Sequence, residues 1–323
     1  MDRKLALTAS FVAFALLGVG AGGAHAAFPG KPGPIAYSKT STDEVGEGTL
    51  ERLGGLFASS TQRPRQRRQL TLDPDDHSPS YSADGRSIVF VGEDEAGGSA
   101  IYVMARDGTG RRMVTSDGAS PHFFPSGRAI AFARTVEGHS HVFTIRLDSS
   151  GLRQLTSGPY DDSDPAVSPN GRRIAFVSDR DQDSRRDRTD IFAMRADGSR
   201  LRVLNDLPRS QLDPDWSPDG RRIAFAMAAG SRSNIFVARA GGFRLRQLTS
   251  CKKPPRCRGY VSPVFSPDGR QIAALGLGTR TSTISLIPVG GNGATDSIDS
   301  GSTEEEGFGI HVGAPAWGPL PGR

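Results

Sequence analysis

Cysteine is almost missing from this chain: 323 residues hold two, Cys251 and Cys257, in the segment CKKPPRC. That spacing is not the C-x-x-C of a thiol oxidoreductase or a zinc site, and no histidine lies near in sequence, which argues against redox or metal chemistry there. In an oxidising compartment the two are expected to form a disulfide across a small loop stiffened by two prolines. Long hydrophobic runs are scarce as well. The one extended run, LALTASFVAFALLGVG from Leu5 to Gly20, follows Arg3 and Lys4 and leads to the small-residue pattern AHA at Ala24–Ala26. Residues 1–26 therefore read as a signal peptide cleaved before Ala27, and no later segment is apolar enough to span a membrane. With no cysteine at the cleavage point to carry a lipid, the mature chain is expected to be exported and soluble, in a periplasm or outside the cell. Charge of one sign is not in large excess either: 40 Lys+Arg face 35 Asp+Glu, interspersed, for a net +5. That is an ordinary soluble surface rather than the footprint of a nucleic-acid binder. The densest basic run, RPRQRRQ at Arg63–Gln69, has no aromatic platform beside it on which bases could stack. It reads as a solvated edge strand whose arginines discourage edge-to-edge pairing.

Glycine (40) and proline (22) are plentiful, and apolar residues come in short β-branched or aromatic bursts, an all-β composition. Self-similarity then organises the whole chain. SYSADGRSIVF begins at Ser80, HFFPSGRAIAF at His122, AVSPNGRRIAF at Ala166, DWSPDGRRIAF at Asp215 and VFSPDGRQIAA at Val264. Their turn glycines, Gly85, Gly127, Gly171, Gly220 and Gly269, are 42, 44, 49 and 49 residues apart. Each copy continues into a second alternating strand, such as AIYVMARDG or DIFAMRADG. Four of the five then end in a basic-to-apolar segment such as RRMVTS or LRQLTS. Four short strands at this period specify a propeller blade: A, innermost, around Trp216; B, RIAF; C, IFVA; D, RQLT. Strand B is apolar on both faces because a neighbouring blade stacks on each side of it.

The chain ends supply one more blade. GPIAYSKT from Gly33 matches strand B, TLERL from Thr49 is a weak strand C, and RRQLT from Arg67 matches strand D. The missing strand A is APAWGP, Ala314–Pro319, where Trp317 takes the place of Trp216. Five whole copies and this split one predict a six-bladed β-propeller over residues 33–319, after a short lead-in at 27–32 and before a tail at 320–323. Pairing the two chain ends closes the ring and leaves no open edge. The pattern P-x-W-S-P-D-G-R-x-I-A-F, then I-F and D-G, then R-Q-L-T resembles the TolB-type, WD-like six-bladed propeller. TolB itself carries a small α/β domain ahead of its propeller. Here the propeller is expected to start about ten residues after the cleavage point, so the resemblance implies a binding role but not a place in a Tol–Pal complex.

Candidate sites follow from this frame. In SPDG, proline presets the first central position of a turn and glycine accepts the left-handed conformation at its end. The position of Asp219 is filled elsewhere by Asp84, Ser126, Asn170 and Asp268, which suits a turn and not a catalytic carboxylate. The entrances to strand A are different, because they converge on the central channel at the opposite end from these turns. They are Asp76–His77–Ser78, Ala119–Ser120, Asp162–Ser163–Asp164, Leu212–Asp213, Val261–Ser262 and Val312–Gly313, each shortly ahead of a proline. Asp76, His77, Asp162, Asp164, Asp213 and Ser262 form the expected partner or ligand surface, with local Asx-turns as the plainer role for these aspartates. In one B–C loop, Asp179, Asp181, Asp183, Asp187 and Asp190 fall at calcium-loop positions. Ser184 stands where glycine is wanted, Asp190 is shorter than the usual glutamate, and four arginines intervene, so the loop is a weak calcium candidate. His139 and His141 share a strand face but are too few for zinc. The polar tail of the fifth copy, GGNGATDSIDSGSTEEEGFG, reads as a flexible loop.

No G-x-S-x-G elbow or other catalytic constellation is present, so an α/β-hydrolase partner domain is not expected. The leading expectation is an exported, monomeric, non-enzymatic scaffold that needs no cofactor. It would bind another envelope or secreted protein, or a cell-wall-associated ligand, at the channel mouth. The alternative is a metal-dependent enzyme, or a propeller taking a carbohydrate or small ligand there.

Overall fold

The computed structural model describes residues 28–44, 50–180, 188–205, 207–230, 232–241, 244–250, 259–278, 281–291, 296–302 and 311–322, and none of these is helical. The repeat around Trp216 shows how the pattern folds. Its strands, Gln211–Trp216, Arg222–Ala229, Arg232–Arg239 and Arg246–Gln247, pair antiparallel in chain order. Between the first two, Gly220 N donates to the Ser217 carbonyl at 2.7 Å, and Gly220 has a φ of 66°. SPDG is thus a tight turn closed in a conformation that glycine enters without strain. Asp219 Oδ1 stays within it, accepting from Ser217 Oγ at 2.6 Å and Arg221 N at 3.0 Å.

Alternate residues of Arg222–Ala229 feed different cores. Ile223 and Phe225 pack with Ala166 and Ile191 of the preceding repeat, whereas Ala224 and Ala226 pack with Phe265 and Ile272 of the following one. All four are fully buried, which is why RIAF is apolar without alternation. Burial of Phe225 alone contributes about 2–3 kcal/mol.

Four-stranded sheets of the same order run from His77–Tyr81 to Arg112–Ser116, from Ala119–Phe123 to Arg153–Gln154, and from Asp162–Val167 to Arg202–Asn205. Gly259–Phe265 to Asp296–Ser302 forms a further such run. It is joined to the Trp216 run in an eight-stranded sheet through the parallel bridge Ser233↔Gly259. The reading of the fifth tail as a loop needs correction here. Asp296–Ser302 is the outer strand, paired with Thr281–Leu286. An outermost strand needs only backbone partners on one side, so its polar sequence is compatible with pairing.

The chain ends meet. Pro32–Glu44 pairs with Leu50–Ser60 on one side, and on the other with His311–Val312 and Ala316–Pro319 in the register Ile35↔Trp317. Innermost strands then touch in a closed cycle, from His77–Tyr81 through Ala119–Phe123, Asp162–Val167, Gln211–Trp216, Gly259–Phe265 and Ala316–Pro319 back to His77–Tyr81. The propeller fold expected from the repeat is what forms. Its count of six blades rests on dividing the eight-stranded sheet at that bridge.

Two side-chain devices recur at the outer strands. The threonine of Q-L-T caps a backbone donor of the neighbouring strand: Thr71 Oγ1 accepts from Leu56 N, Thr156 Oγ1 from Val142 N and Thr249 Oγ1 from Ile235 N, each at 2.9 Å. An arginine three residues ahead of the threonine at this place (Thr71, Thr115, Thr156 or Thr249) staples its blade to the next. Arg68 donates to Asp107 O at 2.9 Å, Arg112 to Leu147 O at 2.6 Å, Arg153 to Asp197 O at 2.8 Å and Arg246 to Val289 O at 3.0 Å. The run Arg63–Gln69 is therefore more than a solvated edge, because Arg68 ties two blades together.

Candidate functional site

Five of the innermost strands enter through a bulge. Ser78, Ser120, Asp164, Asp213 and Ser262 have φ between 48° and 51°, and the strand register slips just beyond each of them. The proline that follows lacks an N–H, so the interrupted ladder leaves no orphan donor at that point. Holding a non-glycine residue in this conformation costs about 1–3 kcal/mol. The bulge turns Ser120, Asp164, Asp213 and Ser262 toward one another across neighbouring blades, and all five residues are buried.

Ser120 Oγ donates to Asp164 Oδ1 at 2.8 Å, tying Asp164 back to the preceding repeat. Ser262 donates from N at 2.8 Å and from Oγ at 3.3 Å to Asp213 Oδ2, tying Asp213 forward to the following one. Asp164 and Asp213, on adjacent blades, are close enough for their charges to interact. Burial pushes both carboxyls up. For Asp213 the Asp164 charge adds to this, and the Ser262 hydrogen bonds offset only part, leaving it at about 7. Two residues further along, Asp215 is also buried. Its Oδ2 accepts from Phe265 N at 2.7 Å, its Oδ1 has no hydrogen-bond partner among the described residues, and burial holds the carboxyl well above the usual range. The matching residue two repeats earlier is His122, fully buried and lowered to about 4, so its imidazole is neutral. Sequence reasoning missed Asp215 and His122. An ionisable residue two positions after the bulge, where the other repeats carry Ser80, Ala166 and Val264, was the available signal.

The other expected site residues separate from this group. Asp76 is buried against Arg111 Nη1 at 3.0 Å, and that guanidinium lies 4.2 Å from the Tyr102 ring centre. Burial still outweighs its hydrogen bond from Thr71 and the Arg111 charge, raising Asp76 to about 6. Asp162 accepts from Arg180, which stacks 5.1 Å from the ring centre of Tyr160, and lies 3.9 Å from His141 Nδ1. His77 is half-buried, with Nδ1 2.8 Å from Ser78 Oγ, and burial lowers its pKa. The structure thus brings together Asp164, Asp213 and Ser262, and engages Asp76 and Asp162 in separate ion pairs.

Of the calcium-loop residues, Asp181, Asp183 and Asp187 lie outside the described residues, as do Cys251, Cys257 and the expected signal peptide. Asp179 Oδ1 accepts from Asp161 N at 2.9 Å. Asp190 accepts from Gln211 Nε2 at 2.8 Å and pairs with Arg188 Nε at 3.1 Å. Among the described residues no group of three or more His, Cys, Asp or Glu is placed to hold a metal, and no helix is long and apolar enough to cross a membrane.

The family model described as the TolB beta propeller domain matches residues 58–199 and, overlapping them, 115–253, together more than half of the chain. The chain belongs to the TolB beta-propeller family. Within that family's range, it is 35% identical to the Tol-Pal system protein TolB of Zymomonas mobilis over 77 residues, 23% of this chain and 17% of that protein. It is 30% identical to dipeptidyl-peptidase 5 of Porphyromonas endodontalis over 135 residues, 41% of this chain and 17% of that protein. The crystal structure of TolB from Acinetobacter baumannii superposes with a TM-score of 0.69 at 20% identity, covering 89% of this chain and 67% of that one. The chain spans 17% of the length of each of these two curated relatives.

Proposed function

We propose that this TolB-family propeller is an exported, non-enzymatic scaffold that binds a partner protein, or a cell-wall-associated ligand, at the channel-mouth end. In this reading residues 1–26 are a signal peptide and 33–319 a single six-bladed ring. The observation that carries it is the adjacent pair Asp164 and Asp213. Two buried carboxyls stand on neighbouring blades at positions where the other repeats carry serine or alanine. Their mutual repulsion makes the pair costly by itself, and a cationic group from a partner entering the mouth would relieve that cost. The family name supports a binding role, since one relative is a Tol-Pal system protein. Catalysis is not supported by the described site, where each carboxyl is tied to a serine hydroxyl or a backbone N–H.

Affinity capture from the native envelope or culture fluid, with the wild type and with Asp164→Ala/Asp213→Ala, tests the assignment. One partner lost from the double variant, with an unchanged circular dichroism spectrum, is the expected result. Retention of every partner by a folded double variant would remove the mouth pair from the binding site.

A further inference from the structure

The end of the ring opposite the mouth carries a different chemistry. In each repeat the residue after the turn glycine is arginine: Arg86, Arg128, Arg172, Arg221 and Arg270, all exposed. The turns stand side by side, since a Cβ on Gly171 would lie 3.2 Å from Pro125 of the preceding turn and one on Gly269 3.5 Å from Pro218. Backbone hydrogen bonds bring the ends of the C strands to the same face. Leu147 N donates to Arg128 O, Ala196 N to Arg172 O and Ala240 N to Arg221 O, at 2.9–3.0 Å. The residues just before those donors, Arg146, Arg195 and Arg239, are exposed there too.

The carboxylates of this face are folded into their own turns. Asp84, Asp219 and Asp268 accept from the backbone of the arginine two residues on, at 3.0–3.1 Å, and from a serine hydroxyl. Asp107, Asp148 and Asp197 accept in the same way from Thr109, Ser150 and Ser199. Among the described residues, the arginines above make no ion pair. The pairs Arg111–Asp76, Arg180–Asp162 and Arg188–Asp190 belong to the mouth-side residues. Apolar groups complete the surface: Leu152, Leu201 and Leu245, leading into the outer strands at this same end, are 48%, 40% and 42% exposed.

We propose that this arginine-rich turn face docks on an anionic lipid bilayer, its guanidiniums on phosphate head groups and its rim leucines at the interface. A near-regular circle of arginines suits a fluid sheet of phosphates, which can move to meet each charge. Exposed leucines at the rim favour a lipid interface over a nucleic acid, which would call for exposed aromatics or an element fitted to a groove. The contact needs nothing from the mouth, so both ends of the ring can be engaged together.

Co-sedimentation of the purified protein with vesicles tests the proposal. Binding is expected to vesicles of phosphatidylcholine with about 30% phosphatidylglycerol, at about 0.1 M salt, and to be largely lost at about 0.5 M salt. Pure phosphatidylcholine vesicles control for any purely apolar contribution. Arg128→Gln/Arg172→Gln/Arg221→Gln should weaken binding at least about tenfold, and Leu152→Ser/Leu201→Ser should weaken it at constant charge. Arg209→Gln, on the mouth side, should leave it unchanged. Absence of binding to the anionic vesicles, wild-type affinity in the folded triple variant, or an equal loss in Arg209→Gln would overturn the proposal. So would arginine-dependent binding to duplex DNA without binding to vesicles.

Discussion

Asp213 sits on a bulge that sequence pattern does not announce. Its position before proline was legible, and so was its membership of a ring around the channel. The direction of its side chain was not, because that follows from a φ of 51° that no propensity assigns to aspartate beside proline. For the same reason Asp76 and Asp162 looked equivalent to it in sequence, yet they lie two residues ahead of the bulge and meet arginines instead. A pH effect follows. Burial and the Asp164 charge raise the Asp213 carboxyl to about 7 in the folded protein, against 3.8 for an unperturbed aspartate. Between those values the native state holds a proton that the unfolded chain has lost, so stability falls as pH rises through this window and levels off above it. Asp213→Asn removes the titration while keeping an acceptor for Ser262. Relative to wild type it should gain up to about 4 kcal/mol on going from about pH 4 to about pH 8. Thermal melts of both proteins across that range check this, and equal pH profiles would mean that Asp213 does not titrate there.

Individual strands were legible to the degree that burial dictated their composition. Arg222–Ala229 announces itself because two interblade cores draw on its alternate residues, and the innermost strands because a buried apolar or aromatic residue (Tyr81, Phe123, Val167, Trp216, Phe265) stands at the same place before each turn. Asp296–Ser302 did not, since an outermost strand is held by backbone pairing and needs no apolar face. The Q-L-T segments fall between these cases. Their recurrence was visible, but the role of threonine was not, because the donor it caps lies 14 or 15 residues upstream. That role has a measurable consequence. Thr156 is buried, and its hydroxyl satisfies the Val142 N–H. Thr156→Val preserves shape and strands that donor, at a cost of about 1–3 kcal/mol, whereas Thr156→Ser keeps the acceptor and should cost less. Urea titrations of the two variants separate the hydrogen bond from the methyl group, and a loss confined to Thr156→Ser would assign the threonine to packing alone.

Across the whole ring, the seam differs from every other junction. Elsewhere strands A and B are joined by a covalent turn, but at the seam Ala316–Pro319 reaches Pro32–Glu44 from the far end of the chain. The pairing there is short, and Trp317 reinforces it by packing with Ile35, Tyr37 and Val264 and by donating from Nε1 to Gly33 O at 3.1 Å. Trp216 occupies the same position within a continuous repeat, where its Nε1 donates to Ala166 O at 3.0 Å. Replacing either ring by alanine removes a comparable buried volume and should cost about 3–5 kcal/mol. The two losses should be distributed differently, because only Trp317 joins segments that chain connectivity does not hold together. Trp317→Ala should therefore speed hydrogen exchange in Pro32–Glu44 under native conditions, well ahead of global unfolding, while Trp216→Ala lowers protection across the ring without singling out that strand. Native-state exchange read by mass spectrometry makes the comparison. Equal protection of Pro32–Glu44 in the two variants would show that the seam opens no more readily than a covalently continuous blade.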